Sequence, residues 1–177
     1  MHALHSICNL RDGGWKDVPR DPGVYWWYFP ASCLDSLRIA EHCDVSSLSL
    51  RRTPDGKTCL YHGCASSLRQ RVKWHAAQRL RPSALKSGFL STFRFTLLSL
   101  NGFDYLSGES RLNGFMDELE IGWQAFPSKT DARAFEAKEI QGPYHYPLNI
   151  QENRRIELGV FRRHLKTARK EYKRRYQ

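Results

Sequence analysis

Arg71 and His75 stand four residues apart in "CLYHGCASSLRQRVKWH", residues 59–75, so on a helix they share one face and address one ligand together. An arginine offers planar, charged donors suited to phosphate, and a neighbouring histidine donates or relays a proton near neutral pH. The alternative for such a pair is a solvated basic face. Glu136 is less ordinary, because Ala132 and Ile140 flank it at i−4 and i+4 and set it on a helix face that should be apolar. An inward carboxylate is costly unless a cation or several donors meet it. That leaves an ion pair with an arginine, or a hard divalent ion such as Mg²⁺ that takes carboxylate oxygens and keeps several waters. Tyr25 and Tyr61 complete the set; taken singly, each reads as a core residue with a polar tip.

These side chains need elements to hold them. "GVYWWYF", residues 23–29, is a run of β-branched and aromatic residues with large groups on both faces, the pattern of a strand covered on both sides. "TPDGK" at 53–57 is a turn by composition, and "TCLYHG" after it is the antiparallel partner strand, ended by Gly63. Ser66 or Ser67 can cap the next helix, whose buried stripe is Leu68, Val72 and Ala76. Further helices are predicted within 31–50, at 91–100 and at 109–118, and a strand within 119–126, where Leu119, Ile121 and Trp123 alternate with Glu120, Gly122 and Gln124. A Thr130 cap then opens the short helix that carries Glu136, and Gly142 and Pro143 close it. From Arg154 onward, Val160, Phe161, Leu165, Ala168, Tyr172 and Tyr176 form an apolar stripe among basic residues, a long amphipathic helix. The expected architecture is α+β, a small three-stranded sheet, antiparallel at least in part, with helices around it. Residues 1–22 read as an irregular lead-in, 23–152 as the main domain, and 153–177 as the basic C-terminal helix.

The 177 residues carry a formal charge of +10, and the excess is uneven: residues 153–177 hold ten Lys and Arg against two Asp and Glu. An excess of this sign and clustering suits a polyanion. The five cysteines form no C-x-x-C pair, which disfavours a disulfide framework and a zinc ribbon and points to free thiols. No signal-type or membrane-spanning apolar segment is present in the sequence, so a soluble, cytoplasmic protein is expected.

In order, "GVY" at 23–25, "YHG" at 61–63, "SSLRQRVKWH" at 66–75, the glutamate of "AFEAKEI" and "PLN" at 147–149 resemble the motifs of the GIY-YIG nuclease superfamily. Gly23-Val24-Tyr25 and Tyr61-His62-Gly63 match the two name-giving motifs. Leu68, Arg71 and His75 match the helix pattern, Glu136 the family's metal-binding glutamate, and Pro147-Leu148-Asn149 its closing motif. His62 stands where the family usually has an aliphatic residue. The long stretches at 30–58 and 80–118 are similar to the bacterial branch that includes restriction endonucleases.

The resemblance implies a metal-dependent DNA endonuclease that leaves 5′-phosphate and 3′-hydroxyl ends, of site-specific restriction type if the branch holds. Tyr25 is then the base or base-orienting group, with Tyr61 positioning the water or exchanging roles with it. Arg71 holds the scissile phosphate, His75 hydrogen-bonds a tyrosine or the phosphate, Glu136 ligates Mg²⁺ or Mn²⁺, and Asn149 supports the site. A tyrosine is a poor base at neutral pH unless cations stabilise its phenolate, a field Arg71 and the metal would supply. Arg69 and Lys73 are expected on flanking phosphates, and Arg162, Arg163, Lys166, Arg169 and Lys170 along a DNA backbone, double-stranded for a restriction-type enzyme. Cutting both strands needs two active sites or two successive events, which makes a homodimer an expectation. Two alternatives stay open: a non-catalytic nucleic-acid-binding protein on a nuclease-like fold, and an RNA-binding accessory protein.

Overall fold

The computed structural model describes residues 2–88 and 90–176; the outermost residues of the expected lead-in and tail lie outside that range. Four antiparallel strands, β1 (Leu4–Ser6), β2 (Gly23–Phe29), β3 (Thr58–Ala65) and β4 (Glu120–Ala125), form one sheet in the order β1-β4-β2-β3. The class is the α+β expected, with one strand more. The extra strand lies in the lead-in, which is not irregular: Leu4–Ser6 pair with Gly122–Glu120, and helix α1 (Ile7–Asp12) follows, capped by Ser6. A three-residue strand is too short to show a period in sequence, so the partner β4 decides it.

All seven residues of β2 are buried, as its two-sided apolar pattern requires. Tyr25, Trp27 and Phe29 face the larger core, and Val24, Trp26 and Tyr28 face a smaller one. β3 does not stop at Gly63 but pairs with β2 through Ala65, because glycine is needed there for space rather than termination. A Cβ on Gly63 would lie 2.5 Å from the Tyr25 hydroxyl oxygen. Gly23 is tight for a similar reason, its missing Cβ falling 2.4 Å from the Gln124 carbonyl oxygen and 2.6 Å from Leu68.

The stretch between β2 and β3 holds short helices α2 (Cys33–Ser36) and α3 (Ile39–His42) in place of one longer helix, separated by Arg38 in the left-handed region at φ 58°. The Thr53–Lys57 turn is present, with Gly56 at φ 86°. Helix α4 (Leu68–Ala77) leaves β3 through a two-residue turn, and Ser67 caps it. Helices α5 (Pro82–Ser87), α6 (Thr92–Leu100) and α7 (Glu109–Asp117) follow and lead to β4. Helix α8 (Lys129–Gln141) is capped by Ser128, two residues before the expected Thr130. It packs on β3 and β2 through Ala132 and Ile140. The tail helix α9 (Gly159–Tyr176) starts later than Arg154 and lies against α6 and α3. Phe161, Leu165 and Tyr172 form its buried side, whereas Val160 is half exposed. The five cysteines are free thiols, and among the described residues no helix is long and apolar enough to cross a membrane.

Candidate active site

The site forms around β3, the edge strand of the sheet. Tyr25 on β2 and Tyr61 on β3 project on the same face, their ring centroids 6.3 Å apart. Helix α4 begins two residues beyond that strand. Its first amides are held by the lead-in, Leu68 N–H donating to the Asp21 carbonyl and Arg69 N–H to that of Pro19. This docking fixes the helix so that His75 Nε2 lies 2.9 Å from the Tyr25 hydroxyl. Arg71, one turn earlier, lies over the Trp74 ring at 4.8 Å and has no carboxylate partner among the described residues. A groove of about 490 Å³ runs past it, lined by Ser66, Gln70, Arg71, Lys73, Trp74 and neighbours.

Electrostatics link both tyrosines to the two charged residues. Burial raises the Tyr25 phenol well above its usual value; the Tyr61 and Glu136 charges add to the rise, and Arg71 opposes it. Tyr61 is pushed up to about 12, again chiefly by burial, with Glu136 raising and Arg71 lowering. Both phenols therefore keep their protons near neutral pH, and Arg71 by itself does not supply the field the sequence reading asked of it. His75 is held well below its ordinary value by burial and by the cations of Arg71 and Arg94, so its imidazole is neutral.

Glu136 reaches the site from α8 beside Cys64 of β3, whose N–H and thiol donate toward its carboxylate. Burial raises its pKa, with those donors and Arg133 opposing. It is half-buried, and no salt bridge to it occurs among the described residues. The arginine ion pair is therefore not how this carboxylate is satisfied. It is a single hard oxygen donor, since no group of three or more His, Cys, Asp or Glu gathers among the described residues. Such a donor fits a hard divalent ion that fills the rest of its shell with water and phosphate oxygens.

Asn149 acts on the backbone. Its Nδ2 donates to the His62 carbonyl at 2.8 Å and its Oδ1 accepts from the His62 N–H at 2.9 Å, while Leu148 N–H donates to the Leu60 carbonyl. The amide imitates a neighbouring strand and closes the free edge of β3, next to Tyr61. His62, the departure from the family pattern, is fully buried, stacks on Trp26 at 4.9 Å and lies 3.0 Å through Nδ1 from the Tyr25 carbonyl oxygen.

The basic residues divide. Arg69, expected on a flanking phosphate, instead donates to the Val18 and Lys16 carbonyls at 2.7 Å each, because the lead-in folds against α4. Lys73, Arg163, Lys166 and Lys170 are exposed, Arg162 is half-buried, and Arg169 is drawn in. The Arg169 guanidinium lies 5.8 Å from the Phe95 ring and close enough to Tyr61 for their charges to interact.

The sequence reading missed what α6 contributes. Ser91, Phe93 and Arg94, in the stretch taken for a branch-specific insertion, belong to the site. Phe93 stacks on Tyr61 at 4.4 Å, and buried Arg94 donates to the Ala76 carbonyl at 2.9 Å, fixing the end of α4. The available signal was Ser91 itself, a good capping residue type at the head of the helix predicted over 91–100.

Two tyrosines, an arginine and a histidine from one helix, and a carboxylate at the edge of an antiparallel sheet thus gather around β3. The GIY-YIG catalytic domain model matches residues 23–171, most of the chain, which therefore belongs to the GIY-YIG family. The match continues into α9 as far as Glu171. Comparison with curated proteins and with solved structures returned no match.

Proposed function

We propose that this nuclease-family protein is a divalent-metal-dependent DNA endonuclease, hydrolysing the P–O3′ bond to leave 5′-phosphate and 3′-hydroxyl ends. The convergence of Tyr25, Tyr61 and Arg71 with Glu136 supports this reading most directly, since Arg71 and Glu136 each act on both phenols. Mg²⁺ or Mn²⁺ would be held by Glu136, and when bound would neutralise phosphoryl charge and help to activate water.

The chain's own residues do the remaining work. Arg71, backed by Trp74 and bordering the open groove, grips the scissile phosphate through planar donors. Tyr25 gives its own proton up to solvent and, as the phenolate, takes one from the attacking water, while Tyr61, pinned by Phe93, orients that water. The water oxygen bonds to phosphorus, the bond to the 3′ oxygen breaks, and that oxygen is protonated from solvent. Arg169 is a second cation beside Tyr61, and the exposed Lys73, Arg163, Lys166 and Lys170 follow the duplex backbone.

The test is plasmid cleavage with and without Mg²⁺ by wild-type protein and by Glu136→Ala, with the ends mapped. Metal-dependent cleavage lost in Glu136→Ala, with DNA binding retained, is the expected result. Equal cleavage by the variant sinks the metal assignment. Binding without cleavage under every metal leaves the non-catalytic alternative, and discrete rather than random ends mark the restriction type.

A further inference from the structure

Ser91 is fully buried and has three polar neighbours around its backbone and side chain. Its N–H donates to Gln78 Oε1 at 2.7 Å, and its hydroxyl oxygen accepts the Arg94 N–H at 3.2 Å as the N-cap of α6. The hydroxyl still carries one hydrogen, and a buried O–H without an acceptor is costly. His75 Nδ1, 2.5 Å away, is the acceptor the structure offers.

We infer that Ser91 is a positioning residue of this site: by donating to His75 Nδ1 it fixes the imidazole in the tautomer that donates from Nε2 to the Tyr25 oxygen. A neutral imidazole has one N–H, so an Nδ1 that accepts leaves the hydrogen on Nε2, facing Tyr25 at 2.9 Å. Tyr25 then receives a hydrogen bond from His75, and its own hydrogen turns toward the side where Tyr61 and Arg71 stand. His75 is thus a fixed donor that stabilises the Tyr25 oxygen as it loses its proton, not the group that takes that proton. The assignment also explains why α6 begins at Ser91, since one hydroxyl both caps the helix and sets the ring.

The catalytic consequence rests on the nuclease reading, but the tautomer does not, and the experiment separates them. Long-range ¹H–¹⁵N correlation of His75 in metal-free wild-type protein between pH 6 and 8 should show Nε2 protonated and Nδ1 bare. Ser91→Ala should give a mixed tautomer and cleave about tenfold more slowly, the low end for loss of a partner that orients a functional histidine, and Ser91→Thr should restore both. A protonated Nδ1 in the wild type overturns the inference, as does an unchanged tautomer in folded Ser91→Ala. If Ser91→Ala does not fold, the wild-type and Ser91→Thr spectra decide the matter. If no variant cleaves DNA, the nuclease reading fails while the spectra still decide the tautomer.

Discussion

Two buried histidines hold Tyr25 from opposite faces of the sheet, and they do so at opposite ends of the residue. His75, on the face of the larger core, meets the phenol and has both ring nitrogens engaged, by Tyr25 and Ser91. His62, on the face of the smaller core, donates from Nδ1 to the Tyr25 carbonyl, and its Nε2 is buried without a partner among the described residues. Both rings are neutral, His75 held well below its usual value and His62 lowered to about 3, each chiefly by burial. The lesson is that burial and charge state do not separate chemistry from architecture here. With the tautomer inferred above, what separates them is whether the second nitrogen is held, because a ring fixed at both ends points its N–H at one oxygen.

The sharpest way to break that comparison is to remove each ring. His75→Ala should lose about 10²- to 10³-fold in cleavage rate, the scale of a lost proton-positioning group, with DNA binding retained. His62→Ile, which restores the aliphatic character usual in the family, should keep its rate and shift stability by about 1 kcal/mol or less, since the lost bond and the removed unpartnered nitrogen offset one another. Single-turnover cleavage and urea unfolding of both variants check this. Equal losses of rate would mean that the two faces act as one unit.

A smaller contrast lies on α4, where two arginines stand two residues apart. Arg71→Ala should slow cleavage by about 10²-fold at unchanged stability, as expected for a phosphate-holding cation. Arg69→Ala should cost about 1–3 kcal/mol in urea unfolding, since it leaves the Val18 and Lys16 carbonyls without their donor, and should largely keep its rate once folded. The reverse pattern would place Arg69 on the substrate.

Much of this was legible in residue types and spacing. The both-sided apolar run of β2, the Ala132–Glu136–Ile140 spacing and the Arg71–His75 pair each report a local period, and local periods survive folding. The rest depends on partners distant in sequence. β1 exists because β4 accepts it, Arg69 is occupied because the lead-in folds onto α4, and His62 is tolerated because Trp26 and the Tyr25 carbonyl face it. Ser91 stands at the head of the helix predicted over 91–100, but its partner His75 lies 16 residues away on another helix. No period predicts that meeting.

The smallest expected effect concerns acid, and it tests whether His62 is neutral. An unfolded histidine takes up a proton near pH 6.5, whereas folded His62 does so only near pH 3 and folded His75 well below its ordinary range. Between those values the unfolded state binds more protons, so stability rises with pH and falls on acidification from about pH 6.5. Each neutral histidine adds up to about 1.4 kcal/mol per pH unit to that slope. Carboxylates contribute too, so the informative quantity is the difference between wild type and His62→Ile in urea unfolding from pH 7 to pH 5. The variant should lose less stability across that interval, by about 1–2 kcal/mol, because one of the two neutral rings is gone. Parallel losses would mean that His62 takes up its proton in the folded protein, an event that burial and the cationic Arg51 disfavour and the bond to the Tyr25 carbonyl favours. The outcome thus weighs one hydrogen bond against desolvation, at the ring outside the proposed chemistry.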